Sequence, residues 1–148
     1  VVLGATACEE IGGFGASVLA AEIRPDAVVC LDATYAAPAQ DVTLGSGPVL
    51  TLSDASVLLG TRVRDRVLAF FETMAVPLQT EVYNYSGTDV KAFPQQGLPA
   101  PVLALLLATT GNHTPCETAA DADVCSLMSA LVAICRTPLD EGPLGVTF

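Results

Sequence analysis

Two unbroken apolar runs, Pro101–Ala108 and Ala27–Leu31, dominate the hydropathy pattern of this sequence. Strands with continuous apolar sequence are buried on both faces, as in parallel sheets that lie under helices. Between the two runs, from Thr61 to Ala75, apolar residues recur at helical spacing and charged residues occupy the other side. Strands that alternate with helices in this way predict an α/β fold, with a mainly parallel sheet covered by helices.

The remaining patterns extend this α/β arrangement over the chain. Three more segments have strand-like sequence: 1–7, 48–52 and 78–83. The last of these alternates polar and apolar residues, which suits a strand near a sheet edge. A short helix is predicted for 16–23, and a final helix after Thr118, because Thr118 and Asp121 have the spacing of a capping box. A chain of 148 residues fits one domain with a substantial core.

The charge of the chain excludes several classes of partner. Sixteen acidic residues against six Lys and Arg give a net charge of −10. Nucleic-acid binding needs a basic surface to replace counterions, and an anionic membrane would repel this chain for the same reason. No apolar run reaches the roughly 20 residues of a membrane span. We therefore expect neither a nucleic-acid nor a membrane partner.

The five cysteines have no metal-site or disulfide spacing. Their number is odd and no pair has the CxxC spacing. We predict that they are small core residues of a protein from a reducing compartment, and we expect a cytoplasmic location. The five are Cys8, Cys30, Cys116, Cys125 and Cys135.

Side chains of the metal-binding type follow or close three apolar segments. Glu9 and Glu10 come after the first predicted strand, Asp32 closes the second, and His113 lies in the loop after the run 101–108. If these strands are parallel, the four residues converge, because ligands bind outside the carboxyl ends of strands in open α/β sheets. Such oxygen and nitrogen donors suit zinc, cobalt or manganese, and one glutamate could act as a general base. Taken singly, each residue also has a structural interpretation: a solvated acidic turn, a turn cap or a surface histidine.

The glycine-rich segment Gly12–Gly15 does not match a nucleotide-binding loop. It lacks the third glycine of GxGxxG, and the two glutamates before it would repel a pyrophosphate. The sequence also contains neither GxxxxGK[ST] nor GxSxG. These absences argue against dinucleotide binding, P-loop chemistry and a nucleophile elbow.

Five short motifs stand in a fixed order along the chain. They are Thr6–Gly12 (TACEEIG), Leu31–Thr34 (LDAT), Gly45–Pro48 (GSGP), Ser86–Asp89 (SGTD) and His113–Glu117 (HTPCE). Together they resemble the M42 family of metalloaminopeptidases, the glutamyl and tetrahedral aminopeptidases. The resemblance implies a zinc-peptidase-like catalytic domain that hydrolyses N-terminal residues from peptides.

The resemblance implies a role for each matching residue. Glu9 matches the general base of the family, and Glu10, Asp32 and His113 match metal ligands. The stretch Gly87-Thr88-Asp89 matches a segment near the substrate pocket, which implies substrate binding. The implied mechanism uses two divalent metal ions, zinc or cobalt, to activate water and polarise the scissile carbonyl of the peptide substrate.

The chain lacks features that the resemblance also implies. In the family, a second histidine, a bridging aspartate and a PDZ-like domain lie in the preceding half of the protein, whereas His113 is the only histidine here. The resemblance therefore implies that residues 1–148 are the C-terminal segment of a catalytic domain, and the start at Val1 without Met indicates a cut inside a larger protein. For the isolated chain we expect weak metal binding, little or no activity, and a homo-oligomer or a partner chain that supplies the missing half.

Two other functions stay open at this point. The missing ligands favour a non-enzymatic scaffold or assembly module derived from such a fold, whereas the four intact site residues favour an enzyme. A related M20- or M28-type metallohydrolase shares the adjacent glutamates, although the His113-Thr114-Pro115 loop and the stretch 87–89 favour M42. A panel of peptides compared with a panel of acylated amino acids separates these enzymes.

Overall fold

The computed structural model describes residues 1–145 and contains a five-stranded sheet with helices on both faces. The strands are β1 (Val28–Tyr35), β2 (Val49–Asp54), β3 (Gln79–Tyr83), β4 (Val102–Thr110) and β5 (Thr118–Ala119). The helices are α1 (Phe14–Glu22), α2 (Thr61–Thr73), α3 (Ala92–Gln95) and α4 (Asp121–Arg136). Short 3₁₀ turns lie at Pro38–Gln40 and Asp89–Lys91. Among these described residues, no helix has both the length and the apolar character needed to cross a membrane.

The sheet is mostly parallel, which confirms the predicted fold class. The strand order is β1-β4-β2-β3, and β5 is a short addition to β4. β1 pairs in parallel with β4 from Val28 opposite Val102 to Tyr35 opposite Thr109, and β2 pairs in parallel with β3. The two parallel pairs meet where β2 runs antiparallel to β4. β3 therefore lies at an edge of the sheet, as its alternating sequence predicts.

Strand β4 is the centre of the core because its apolar side chains face both ways. Leu103 and Leu105 pack with Val67 and Phe71 of α2 and with Ala130 of α4 on one face. The alternate residues, from Ala104 to Ala108, pack on the other face. Burial on both faces explains why this strand has an unbroken apolar sequence.

Helices α1 and α3 cover the second face, where small side chains of α1 pack against α3. Ala16 and Ala20 of α1 are buried against Ala92 and Phe93 of α3. Gly15 is required at the start of α1, since a Cβ there would lie 2.4 Å from the backbone nitrogen of Ala7. The close approach holds the segment before α1, which carries Glu9 and Glu10, against the first turn of the helix.

The turn Gly45–Gly47, one of the motifs singled out above, is held by a carboxylate of α4. Asp123 is fully buried, and its two oxygens accept hydrogen bonds of 2.7 Å from the backbone N–H groups of Gly45 and Gly47. The motif therefore anchors α4 to the start of β2.

Three local predictions are wrong. Residues 1–7 form no strand in the described structure, and Val1 and Leu3 are 93% and 92% exposed, because no neighbouring strand pairs with them. The predicted capping box is also absent from the described residues: α4 begins at Asp121 with Ala120 at the N-cap, and Thr118 lies in β5. The predicted burial of the cysteines is also wrong, since four of the five are exposed and only Cys30 is partly buried. Cys125 and Cys135 are exposed because they lie outside the face of α4 that packs on the core.

Candidate active site

Glu9 and Glu10 lie on a tight turn that precedes α1. The amide of Gly13 donates to the carbonyl oxygens of Cys8 (2.9 Å) and Glu9 (3.1 Å). Cys8 has a φ of 62°, a left-handed conformation that a residue with a Cβ adopts at a cost in energy. The two glutamates thus reach the site from a turn, where the sequence predicted the end of a strand.

His113 lies in the loop between β4 and β5, close to the carboxylate of Glu10. Its Nδ1 atom is 3.5 Å from Oε1 of Glu10, and both side chains are more than half exposed. His113 also has a left-handed φ of 60°. Two residues near the candidate centre, Cys8 and His113, therefore hold a backbone conformation that is uncommon outside glycine, a property that concentrates at functional sites.

Asp32 lies within β1, opposite Leu106 of β4, and not at the end of its strand as predicted. The backbone N–H of Ala33 donates to its Oδ1 at 2.8 Å. Burial raises the pKa of Asp32, and the carboxylates of Asp89 and Glu10 raise it further, against the lowering effects of the Ala33 N–H and of His113. Asp32 therefore lies near residues from both of the other segments.

Glu9 belongs to the same group of charges. Burial raises its pKa most, followed by the carboxylates of Asp32, Glu10 and Asp89, whereas Lys91 lowers it. Glu9, Glu10, Asp32 and Asp89 form what we call the acidic cluster. The four like charges repel one another, and a bound cation would relieve that repulsion.

The chemistry of these donors fits a divalent metal, although the group is incomplete. The carboxylates of Glu10 and Asp32 and the imidazole of His113 match the ligand preferences of zinc and cobalt. Oδ1 of Asp89 is buried and has no hydrogen-bond partner among the described residues, an expensive state for a polar atom. Within residues 1–145, however, no three His, Cys, Asp or Glu side chains are placed so that they could hold an ion by themselves. The described residues of this chain therefore form no complete metal site by themselves.

The stretch Gly87-Thr88-Asp89 lies beside the acidic cluster. Gly87 and Thr88 line a cavity of about 260 Å³, which also reaches Asp32 and His113. A side chain at Gly87 would place its Cβ 2.2 Å from Oγ of Ser56, so the serine hydroxyl would have to move to make room for it. Asp89 is buried, and its Oδ2 accepts a hydrogen bond from the hydroxyl of Thr6. This contact connects the stretch to the segment that carries the glutamates.

The cavity contains residues that sequence reasoning missed. Tyr35, Tyr83 and Tyr85 form an aromatic row along it, with centroids 5.9 Å apart for each neighbouring pair. Glu81 is buried in its wall, where its two carboxylate oxygens accept hydrogen bonds from Thr34 (2.7 Å) and Thr51 (2.9 Å). A glutamate in an alternating strand is the one local signal that could have indicated a polar interior at this place.

Comparison with known proteins identifies the family. The sequence matches the family model of M42 glutamyl aminopeptidases over residues 1–129. This chain belongs to the M42 peptidase family. It is 29% identical over 136 residues to a curated protein of Acetivibrio thermocellus, whose name assigns it provisionally as an aminopeptidase. That match covers 88% of this chain and 41% of the relative.

Solved structures of tetrahedral aminopeptidases have the same fold. The structure of PhTET1-12s, described as a dodecamer, superposes with a TM-score of 0.75 at 30% identity and covers 86% of this M42 chain. A TET aminopeptidase from a marine sediment Thaumarchaeota archaeon gives a TM-score of 0.85 at 22% identity and covers 93% of it. The chain covers only 39% and 40% of those two proteins, so it spans about two fifths of the length of its relatives.

Proposed function

We propose that this chain contributes part of the active site of a metal-dependent aminopeptidase, which hydrolyses N-terminal residues from peptides. One observation carries the proposal: three separate segments of an M42 chain meet at the acidic cluster, which contains Glu9, Glu10 and Asp32 and lies next to His113. The incomplete metal centre favours a non-enzymatic scaffold as the second candidate, because a scaffold needs no ligands.

In this proposal Glu10, Asp32 and His113 hold divalent ions, zinc or cobalt, together with ligands from outside the chain. The ions supply Lewis-acid chemistry, which activates water and polarises the scissile carbonyl of the substrate. Two carboxylates and one imidazole suit these ions, and three donors are too few for two complete sites.

Glu9 is the proposed general base. It is next to Glu10 on a turn fixed by backbone hydrogen bonds, so one carboxylate can hold an ion while the other handles a proton. Glu9 takes a proton from the attacking water and delivers it to the nitrogen of the leaving peptide.

Gly87, Thr88 and Asp89 are proposed to position the peptide substrate. Gly87 and Thr88 lie in the wall of the cavity that opens next to Asp32 and His113. Asp89 is buried and accepts a hydrogen bond from Thr6, in the segment that carries the glutamates. A substrate held along this wall would present its scissile bond toward the acidic cluster.

We also propose that the chain is the C-terminal segment of the catalytic domain, and that the preceding half and a PDZ-like domain belong to the rest of the protein. The chain spans about 41% of its curated relative, and Ile11, Phe14 and Val18 expose apolar surface close to the candidate site. The missing half, or further copies in a homo-oligomer, would cover this surface. Five free cysteines are consistent with the proposed cytoplasmic location.

Metal content per chain is the first test. The chain is equilibrated with zinc or cobalt, freed of excess ion, and compared with His113→Ala and with Glu72→Gln, a change on the exposed side of α2. We expect the wild-type chain to hold fewer than two ions. The bound metal should be lost in His113→Ala and unchanged in Glu72→Gln. If the wild type holds metal and His113→Ala retains all of it, the ligand assignment is overturned.

Activity is tested in a preparation in which the missing half of the protein, or further copies of the chain, raises the metal content to two ions per chain. We expect hydrolysis of unblocked peptides but not of acylated amino acids, and a rate about 10²–10⁴-fold lower for Glu9→Gln. Full activity of Glu9→Gln would refute its role as the base. A preparation with two ions and no hydrolysis of any peptide would favour the scaffold.

A further inference from the structure

The cavity beside the acidic cluster has a strongly one-sided charge. We call it the tyrosine cavity, after Tyr35, Tyr83 and Tyr85 in its wall. Four carboxylates line it, from Asp32, Asp54, Glu81 and Glu117, and among the described residues that line it there is neither a Lys nor an Arg. Such a wall repels an anion and attracts a cation.

Two of these carboxylates are already satisfied by the protein. Glu81 accepts hydrogen bonds from Thr34 and Thr51, one on each oxygen. Oε1 of Glu117 accepts hydrogen bonds from Thr109 (2.7 Å) and Asn112 (2.9 Å). These two residues therefore shape the polar wall but do not require a ligand.

Asp54 differs from them, because one of its oxygens has no hydrogen-bond partner among the described residues. The residue is only 9% exposed, and its Oδ1 accepts hydrogen bonds from the backbone N–H groups of Ser56 (2.6 Å) and Val57 (2.7 Å). Oδ2 is buried and has no hydrogen-bond partner within residues 1–145. A buried carboxylate oxygen without a donor is costly, and a cation in the cavity would supply the missing partner.

The three tyrosines suit the aliphatic part of a cationic ligand. Neighbouring rings lie 5.9 Å apart, so the three rings follow one another along the cavity. An aliphatic stem packs well on rings of this kind, and a cationic head gains cation–π attraction from them. A volume of about 260 Å³ is just below the ~300–1,000 Å³ range of small-molecule pockets, which suits a single side chain.

We propose that the tyrosine cavity binds the cationic side chain of a Lys or Arg at the N-terminus of the peptide substrate, with Asp54 as the carboxylate that recognises the charge. The identification of the ligand as a peptide terminus rests on the proposed aminopeptidase function; the preference for a cation rests on the cavity alone. An acidic N-terminal residue is disfavoured, although the family model carries the name of glutamyl aminopeptidases.

Binding of amino-acid amides tests the proposal without any need for hydrolysis. L-lysinamide and L-norleucinamide both carry an α-ammonium group, and they differ in whether the side chain is charged. Titrated into the chain in the presence of a chelator and followed by NMR, lysinamide is expected to bind about tenfold more tightly, as one charged hydrogen bond implies. The α-amide of glutamic acid is expected to bind most weakly. Equal affinities for the first two ligands would overturn the proposal.

The variant Asp54→Asn assigns the effect to one residue. Asn retains the oxygen that accepts from Ser56 and Val57, so the turn is preserved while the charge is lost. The tenfold preference should fall to about twofold or less, whereas Asp41→Asn, an exposed change outside the cavity, should retain it. A full preference in Asp54→Asn, or an equal loss of affinity for both amides, would contradict the assignment. If Asp54→Asn fails to fold, as judged by circular dichroism, the wild-type comparison still decides the outcome.

The two proposals fail in different ways. A preparation that holds two ions per chain and prefers lysinamide, but hydrolyses no peptide, would refute the aminopeptidase function and leave the cation site in place. A preparation that hydrolyses peptides with no preference for basic over norleucyl N-termini would refute only the cation site.

Discussion

Replacement of Asp123 by alanine tests the connection between α4 and the turn at Gly45–Gly47. Asp123 is fully buried, and each carboxylate oxygen accepts a 2.7 Å hydrogen bond from a backbone N–H group. A hydrogen bond to a charged group contributes about 1.5–3 kcal/mol net. The amide of Gly45, an exposed residue, can be hydrated after the change, whereas Gly47 is buried and its amide would be left unpaired. We therefore expect Asp123→Ala to lower the free energy of unfolding by about 3–5 kcal/mol.

Urea denaturation followed by far-ultraviolet circular dichroism measures this change. Asp123→Asn keeps an acceptor for one amide but turns an NH₂ group toward the other, so we expect a loss of about 2 kcal/mol. Asp121→Ala is the matched control, because Asp121 lies in the same helical turn, is exposed and should cost only about 0.3–1 kcal/mol through the helix dipole. A loss below about 1 kcal/mol for Asp123→Ala, or equal losses at 121 and 123, would refute the anchoring role.

The remaining predictions concern packing and thiol chemistry. Gly15→Ala should lower the free energy of unfolding by about 1–3 kcal/mol, because its Cβ would overlap the backbone of Ala7; Gly60→Ala, which meets open space, should change it by under about 0.5 kcal/mol. In the same assay Phe71→Ala, at a buried position, should lower the free energy of unfolding by about 3–5 kcal/mol. Phe14→Ala, at an exposed position, is the control, and similarly small losses for both variants would contradict the core assignment. Burial raises the pKa of the Cys30 thiol to about 11, so at pH 8 a thiol reagent should modify four cysteines quickly and Cys30 slowly; five equal rates would contradict this.

Local sequence was sufficient for the elements that bury a continuous or periodic apolar surface. β4 is apolar on both faces and lies at the centre of the sheet, and α2 presents Val67 and Phe71 to the core at the spacing that predicted it. These elements form wherever a partner surface exists, so their identity depends little on the rest of the fold.

Predictions that needed a particular partner were the ones that failed. Residues 1–7 have the sequence of a strand but pair with nothing in the described structure, since a strand is stable only when its backbone hydrogen bonds are completed by a neighbour. The start of α4 uses Asp123 to hold a distant turn, where the sequence pattern predicted a local cap by Thr118. Sequence spacing can describe a local cap but not a hydrogen bond that joins distant segments.

By itself the sequence determined the α/β class, the central strand, the M42 resemblance and the four candidate residues Glu9, Glu10, Asp32 and His113, because these depend on residue type and short-range order. Only the tertiary structure decided how the candidates approach one another, that Asp54 has a buried oxygen with no partner among the described residues, and that three tyrosines line the same cavity as Asp54. The physical reason is that burial and charge environment depend on chain segments far apart in sequence. A carboxylate on a strand looks the same in the sequence whether hydroxyls satisfy both of its oxygens, as at Glu81, or one oxygen has no donor among the described residues, as at Asp54.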